Sequence, residues 1–554
     1  MSAKEGTKTT TGAAHPKPWL DDLCLILAAA LTFAVSLGQP LMRTWDDDRF
    51  ILGFEAAHSY TWDNFVTMWN APHFQAYHPL HLLSYWIDVP WVASNGPAIH
   101  ATNIVLWCVV LIFVRRTFVA LGLRRSAALV ATLFFGLHTV QVEVVAWATG
   151  RKDILAALFS TLAVLSYLKS KSWKDRHSIA SFAFYLCAAL SKTTTLPLPG
   201  VLFLIDWLLR ERSFVKSLAR HVPMTLVGLC LGGVVVSIWT DATMIRAEPA
   251  GFEHVYLVGA TVTHKFMTMI APIANSPLYP IHRSGDFVWV ELLPFVVVPV
   301  VLFALRKNRR LLFSVLATGV LLLPVLNIVP VYWENQDRYL SLPLLMFAFG
   351  VGTLFEMAEA KKATVARVAA AALLLLLALR TADYQRAWKS DRALWAHATR
   401  VQPESYYAWL KLGQVRRDHH DYSGSFEAYA RAMELEPSIR VAHAVHFALL
   451  VLVDEERLEL APSRSVEFGA RFRQRADDVD TLRTLATEMI DAGYRDAALY
   501  PLGRSMDIEP IEDGRLGRAA LVQSGLGNDW LARFYVSRMS EASADPRLQR
   551  YLDE

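Results

Sequence analysis

Leu41-Met42-Arg43-Thr44-Trp45-Asp46-Asp47-Asp48-Arg49-Phe50 follows directly on an apolar run over residues 18–40. That run is long enough to cross a bilayer as one helix, because a span takes about 20 apolar residues. Three consecutive carboxylates at the mouth of a span are costly unless they serve a purpose. They can bind a metal, hold a cationic partner, or take a proton from an acceptor hydroxyl. The structural alternative is a solvated turn that caps the next helix. Ser36-Leu37-Gly38-Gln39-Pro40 is a poor cleavage site, so the run reads as a retained anchor and not as a cleaved signal peptide.

The rest of the chain agrees with a membrane protein. Of 554 residues, 54% are hydrophobic and 19% charged, with a mean hydropathy of +0.28. That is too apolar for an ordinary soluble protein. The net charge of +4 is too small to suggest nucleic acid. Cys24, Cys108, Cys187 and Cys230 lie in apolar runs and read as small buried hydrophobes, not as disulfides or a zinc site. Residues 1–17, with Lys4, Lys8 and Lys17, read as a disordered cytoplasmic tail.

Candidate spans are 18–40, 98–121, 126–142, 153–169, 177–191, 195–210, 222–240, 287–305, 311–330, 338–357 and 365–380. Basic clusters follow every second one: Arg115-Arg116 with Arg124-Arg125, then Lys169 to Arg176, Arg210 to Arg220, Arg306 to Arg310, and Lys361 to Arg367. By the positive-inside rule these connections and the N-terminus face the cytoplasm. The opposite face then carries the long loop 41–97, the stretch around 143–152, the turn at Lys192, the connection 241–286 and Tyr332–Arg338. The aromatics of 41–97, such as Trp62, Trp69 and Trp86, suit the membrane interface.

After residue 380 the chain turns polar and helical. Trp409, Leu412, Gly413, Tyr429, Ala432 and Pro437 sit at the spacings of a tetratricopeptide repeat of about 34 residues. Leu482, Leu485, Ala486, Gly493, Ala498, Leu502, Ser505 and Pro510 repeat the pattern, Trp395, Ala398 and Pro403 form a preceding half-repeat, and 440–480 is degenerate. Such repeats stack into a solenoid whose concave face binds peptide or braces its neighbour.

Four local sequences carry a family resemblance. They are Trp45-Asp46-Asp47-Asp48, the segment His78-Pro79-Leu80-His81 through Ser84 to Asp88, Asp337-Arg338-Tyr339-Leu340, and above all the block from His138 to Asp153. That block follows the pattern His-x-x-x-x-Glu-x-x-Ala-x-x-x-Gly-Arg-x-Asp through His138, Glu143, Ala146, Gly150, Arg151 and Asp153. With spans before and repeats after, the chain resembles the class C (GT-C) glycosyltransferases, in particular the transmembrane and tetratricopeptide-repeat O-mannosyltransferase-like proteins and their bacterial relatives. It departs from them at Thr139, where the family often has Pro, and at Thr193, where it often has Glu.

The resemblance implies transfer of a sugar from a polyprenyl-phosphate carrier to a hydroxyl on the periplasmic or lumenal face. A carboxylate must then accept the hydroxyl's proton, and Asp47 or Asp48 suits this, with Asp46 the most expendable of the three. The departing phosphate needs cations, for which Arg151, Lys192 and Arg338 stand near the right span ends. Glu143, His78 and His81 are candidate substrate contacts, with alternatives in a structural Glu143–Arg151 pair and polar loop contacts. Arg151, Lys192 and Arg338 have plainer readings as snorkelling, span-end or ion-pair residues. No metal or other cofactor is expected; a divalent ion on the carboxylates is the less favoured reading.

The expected architecture is therefore all-α: a polytopic membrane bundle of about 11 spans over 18–380, then an extracytoplasmic repeat solenoid over 381–554. The expected protein is a hexosyltransferase of the bacterial inner membrane, a location favoured by the lack of any Asn-x-Ser/Thr triplet. Its partners are the bilayer, a lipid-linked sugar and a protein Ser/Thr acceptor presented by the repeats. A lipid or envelope-polysaccharide acceptor is the second reading, and a non-catalytic repeat scaffold for envelope assembly the third.

Overall fold

A computed structural model describes residues 18–435 except 75, 94, 173, 242–250, 281–288 and 330–334, together with a few isolated positions beyond 515. The expected tail 1–17, Pro437, the degenerate stretch 440–480 and the repeat at 482–510 lie outside the described residues. The described residues are helical and contain no strand, only the isolated bridges His73 to Ala76 and Tyr279 to Asn335. The chain divides into two compact units, one ending at Val401 and one beginning at Gln402.

In the first unit, α1 (Pro18–Phe33) leads into a long connection that carries α2 (Trp62–Asn70), α3 (Pro79–Ser84) and α4 (Val89–Val92). Then follow α5 (Gly96–Ala120), α6 (Arg125–Leu137), α7 (Val142–Val145), α8 (Arg151–Lys169), α9 (Arg176–Ser191), α10 (Leu198–Leu204) and α11 (Phe214–Asp241). The unit closes with α12 (Phe252–Ile270), α13 (Pro294–Leu305), α14 (Arg309–Leu322), α15 (Ser341–Lys361), α16 (Ala363–Gln385) and α17 (Asp391–Val401).

Among the described residues, five helical stretches are long and apolar enough to cross a membrane: Pro18–Gly38, Gly96–Ala120, Phe214–Thr240, Asp337–Lys361 and Ala363–Lys389. A sixth is the broken pair Arg125–Leu137 and Thr139–Val145, bent by 52°. Thr193–Leu209 and Trp289–Leu305 are shorter apolar helices. This is an integral membrane protein. Helices α11, α13 and α16 turn Leu226, Leu229, Val296, Val300, Leu375 and Leu379 outward, a surface that suits hydrocarbon and not water.

Each of the eleven apolar runs read from sequence overlaps a helix among the described residues. The connection 241–286 departs from expectation, because α12 occupies it. Its polar Thr261 and Lys265 are buried on the inner face, while Phe252, Val255, Met267 and Ile270 point outward. This inverted pattern hides the helix from a hydropathy reading.

Small residues set the helix spacing. A Cβ at Gly352 of α15 would stand 2.8 Å from the Ala131 Cβ and 3.0 Å from the Ala127 carbonyl oxygen, so only glycine lets α15 lie this close to α6. At one end of the bundle, Arg115 holds both Asp21 (3.2 Å) and Asp22 (2.7 Å), and Arg125 holds Asp21 (2.5 Å). These pairs neutralise the two carboxylates near the start of α1 and fix it antiparallel to α5.

The loop 41–97 folds into a small core of Leu41, Phe50, Ile51, Met68, Leu82 and Tyr85 that also takes in Ile99 and Ala148. The change of composition at 380 falls short of the end of this unit, because α17 belongs to it. Trp395 is fully buried, packs edge-on against Trp45 at 5.3 Å and donates its Nε1–H to the Thr44 hydroxyl. Trp395, expected with Ala398 and Pro403 as half of a repeat, thus covers the acidic loop.

The second unit begins with the helical hairpin of α18 (Tyr406–Asp418) and α19 (Tyr422–Leu435). The Tyr429 ring lies where a Cβ on Gly413 would be, and Ala408, Leu412, Ala428 and Ala432 fill the interface. The residues that suggested a repeat at 409–432 therefore close one helix on the next.

Candidate active site

Asp46, Asp47 and Asp48 occupy a turn, and their side chains part company. Asp47 is fully buried. Its Oδ2 accepts the Met42 N–H (2.8 Å), and its Oδ1 accepts both the N–H (3.0 Å) and the hydroxyl (2.6 Å) of Thr149. It clamps the acidic loop to the turn before α8. Asp48 is exposed and makes no ion pair among the described residues. Asp46 is half-buried and sits in the field of Lys152, Arg338 and Tyr339. Of the three, Asp46, taken from sequence as the most expendable, is the one whose charge reaches Lys152 and Arg338.

Burial pushes the Asp47 carboxyl up to about 7, against the pull of its three hydrogen bonds. The folded state therefore holds a proton that the unfolded chain releases near pH 4. Stability from this group is full at low pH and is lost as pH rises through 7. Between pH 5 and 8 the wild type should lose about 1–3 kcal/mol relative to Asp47→Asn, read as the change in the gap between their melting temperatures in detergent.

The block from His138 to Asp153 builds the floor. His138 has an extended backbone, breaks the helix after α6, and caps the next turn by accepting the Val140 N–H at Nδ1 (3.3 Å). Gly150 admits no side chain, because a Cβ there would lie 2.4 Å from the Val144 carbonyl oxygen and 2.6 Å from that of Glu143. This close approach starts α8 beneath α7, with Arg151, Lys152 and Asp153 in its first turn.

Arg151, expected at the donor phosphate, is committed elsewhere. It is fully buried and forms a fork with Asp88 (2.9 and 2.5 Å), with further bonds to Asn103 Oδ1 (2.8 Å) and the Ser84 carbonyl (3.1 Å). No donor is left for a ligand, so its role is to join α8 to α5 and the external loop. His81, expected at the substrate, is also interior. It bonds the Tyr85 hydroxyl (2.9 Å), and its ring lies 5.4 Å from that of Phe50. His78 is better placed: it accepts the Thr193 N–H (3.3 Å), and burial together with nearby Lys152 and Lys192 pushes its ring down to about 3, so it stays neutral.

Glu143 is buried and receives both the backbone N–H (2.9 Å) and the guanidinium of Arg338. The alternative pairing with Arg151 does not form. Arg338 makes no hydrogen bond from Nε or Nη2 among the described residues and lies 4.8 Å from the Trp147 ring centre. Lys192 pairs with Asp153, and burial lowers the pKa of its amine. Two cations were not singled out from sequence. Lys152 has no hydrogen-bond partner among the described residues and lies over the rings of Trp147 (4.8 Å) and Phe50 (5.2 Å). Lys265 of α12 lies 5.4 Å from the ring centre of Tyr339, which Lys192 and Arg338 also flank at 5.6 Å. Lys152 was legible as part of the Arg-x-Asp motif. Lys265 was not, because its helix was read as a connection.

The result is a half-open carboxylate, Asp46, opposed by cations gathered around Tyr339 and Trp147. Such an arrangement of charges can bind an anion and accept a proton beside it. No group of three His, Cys, Asp or Glu among the described residues is arranged to hold a metal ion.

Fold and site define a mostly helical integral membrane protein with a cluster of charged side chains at the ends of its helices. No family model matches the chain. The sequence is similar to a protein O-mannosyl-transferase of Caenorhabditis elegans, at 23% identity over 394 residues, 66% of this chain and 54% of that one. It is similar to protein O-mannosyl-transferase TMTC4 of Mus musculus, at 24% over 429 residues, 64% of this chain and 57% of that one. A shorter match of 33% over 144 residues, 24% of this chain and 15% of the relative, is to protein O-mannosyl-transferase TMTC1 of Mus musculus. The chain spans about half the length of the curated relatives it matches over most of its own length. These homologues are the group that the sequence motifs resemble. Among solved structures, ArnT from Cupriavidus metallidurans bound to undecaprenyl phosphate aligns over 78% of each chain, with 16% identity and a TM-score of 0.38.

Proposed function

We propose that the protein is a membrane glycosyltransferase that moves a hexose, mannose in the first instance, from a polyprenyl phosphate to a protein Ser/Thr hydroxyl. The observation that carries this is the gathering of Lys152, Lys192 and Arg338 around Trp147 and Tyr339, with Arg338 5.7 Å from the ring of Trp45, the neighbour of Asp46. Its similarity to protein O-mannosyl-transferases favours the sugar and the acceptor. In the reaction, the acceptor oxygen attacks the anomeric carbon as its proton passes to Asp46. The bond from that carbon to the phosphate oxygen breaks, and the polyprenyl phosphate leaves with its new charge facing Lys152, Lys192 and Arg338. Asp47 holds the loop in place, and Glu143 orients Arg338. The outward apolar faces of α11 and α13 offer the carrier chain a hydrocarbon setting.

In this reading the basic connections face the cytoplasm, about eleven helices span a bacterial inner membrane, and the charged cluster and the repeats are periplasmic. The repeats present the acceptor. Metal is not required. The test is single-turnover transfer from a panel of labelled polyprenyl-phosphate sugars to envelope proteins, with and without a chelator. The expected result is transfer from one donor, unchanged within about twofold by chelation, since cationic side chains supply the charge. No transfer from any donor, while the repeats capture an envelope protein, would leave a scaffold.

A further inference from the structure

A second polar constellation lies beside the charged cluster and has no part in the steps above. It draws Lys265 from α12, Asn275 and Tyr279 from the segment after it, Asp337 from the turn before α15, and Tyr384 from the last turns of α16. All five are more than nine-tenths buried. Asp337 is the hub: its Oδ1 accepts the Tyr279 hydroxyl (2.7 Å), and its Oδ2 accepts the Asn275 amide (2.9 Å). Tyr384 and Lys265 both feel its charge.

Three atoms here lack partners among the described residues: the Lys265 amine, the Asn275 Oδ1 and the Tyr384 hydroxyl. The Trp388 N–H lies near that hydroxyl but does not meet hydrogen-bonding geometry. Buried polar groups are nearly always satisfied, and each exception calls for a reason. One such atom is a small matter. Three on three separate segments around one carboxylate indicate something that belongs between them.

The chemistry of the set restricts what that is. It offers donors, on Lys265 and Tyr384, and acceptors, on Asn275 and Asp337. An apolar chain would satisfy none of them. A phosphate has only acceptors to give and would meet the Asp337 carboxylate. A ring bearing several hydroxyls, each both donor and acceptor, satisfies both kinds. The position agrees, since the Lys265 amine lies over the Tyr339 ring that Lys192 and Arg338 share, and Asp337 directly precedes Arg338. We infer that this polar cluster holds the sugar ring of the donor through its hydroxyls and selects among sugars. The inference rests on the transferase reading and adds the site of sugar recognition to it.

The test measures binding of two probes to the full-length protein in nanodiscs: polyprenyl-phosphate mannose and bare polyprenyl phosphate. Lys265→Met and Tyr384→Phe should each weaken the mannosyl lipid about tenfold or more, the scale of a lost bond to a substrate hydroxyl, and leave the bare lipid within about twofold. The same variants should flatten the preference between mannosyl and glucosyl lipids. Tyr384→Phe removes a single oxygen atom and carries the test if Lys265→Met does not fold. Equal weakening of both lipids would assign Lys265 to the phosphate instead, and no change in either would leave only water among these groups. A wild type that binds both lipids equally and still transfers sugar overturns this inference alone. A wild type that binds neither overturns the transferase reading with it.

Discussion

Asp46→Asn is expected to cut transfer by about 10²–10⁴-fold, the usual worth of a general base, with the melting temperature nearly unchanged. The neighbouring carboxylates should behave differently, which makes the prediction sharp. Asp48 is exposed and unpaired among the described residues, so Asp48→Asn should alter the rate by no more than about twofold. Asp47 is fully buried and serves Met42 and Thr149, so Asp47→Asn should lower stability and rate together, and Thr149→Val should do the same. Asp46→Glu keeps the proton acceptor and should retain part of the activity, whereas Asn retains none of the base. Single-turnover rates and thermal unfolding of the five variants, side by side, check this. If Asp48→Asn were the silent-fold, dead-enzyme variant, the assignment of the base would be wrong.

The second large effect concerns Arg151 and is on folding. Removing one partner of a buried ion pair strands the other, at about 3–5 kcal/mol. Arg151→Leu leaves the Asp88 carboxylate and the Asn103 amide oxygen facing an apolar side chain with nothing to replace the guanidinium. Arg151→Leu and Asp88→Leu should therefore both sharply reduce the yield of folded protein and its melting temperature. Combining them should recover part of the loss, because the double variant has no buried unpaired charge. Arg151→Lys should rescue little, since an ammonium does not reproduce the fork to Asp88 or reach Asn103 and Ser84 at once. A phosphate ligand would behave otherwise: its variant would fold normally and lose only affinity for the lipid donor. Melting temperature and donor affinity, measured together on Arg151→Lys, separate the two roles.

Arg151 also shows how far the sequence could be read. The arginine stands out in its motif, but its partner is 63 residues away, and nothing in the intervening chain announces the pairing. A phosphate ligand and a structural clamp present the same residue at the same span end. The three aspartates pose a similar problem, because adjacent residues of a turn point in different directions and their order is set by the turn, not by composition. Lys265 was hidden for a third reason. Its helix buries polar residues and exposes apolar ones, the reverse of the pattern that marks a helix in water. The helical runs themselves were plain from hydropathy; Gly413 and Tyr429 stood out by repeat spacing, and their contact is seen in the structure. Lys192, Arg338 and Glu143 were singled out because the short motifs that contain them sit at the ends of those runs, and the structure pairs Arg338 with Glu143 and Lys192 with Asp153. Trp395 was placed in the repeats by its spacing, yet it covers Trp45 in the membrane unit, since an indole suits either helix interface.

The most direct test is an electron cryo-microscopy structure of the protein in nanodiscs with a non-transferable polyprenyl-phosphate sugar. The account predicts the phosphorus within hydrogen-bonding reach of Lys152, Lys192 or Arg338, the anomeric carbon facing Asp46, and Arg151 still closed on Asp88. Phosphate density at Arg151 or away from these cations, or an anomeric carbon facing Asp48, would contradict it.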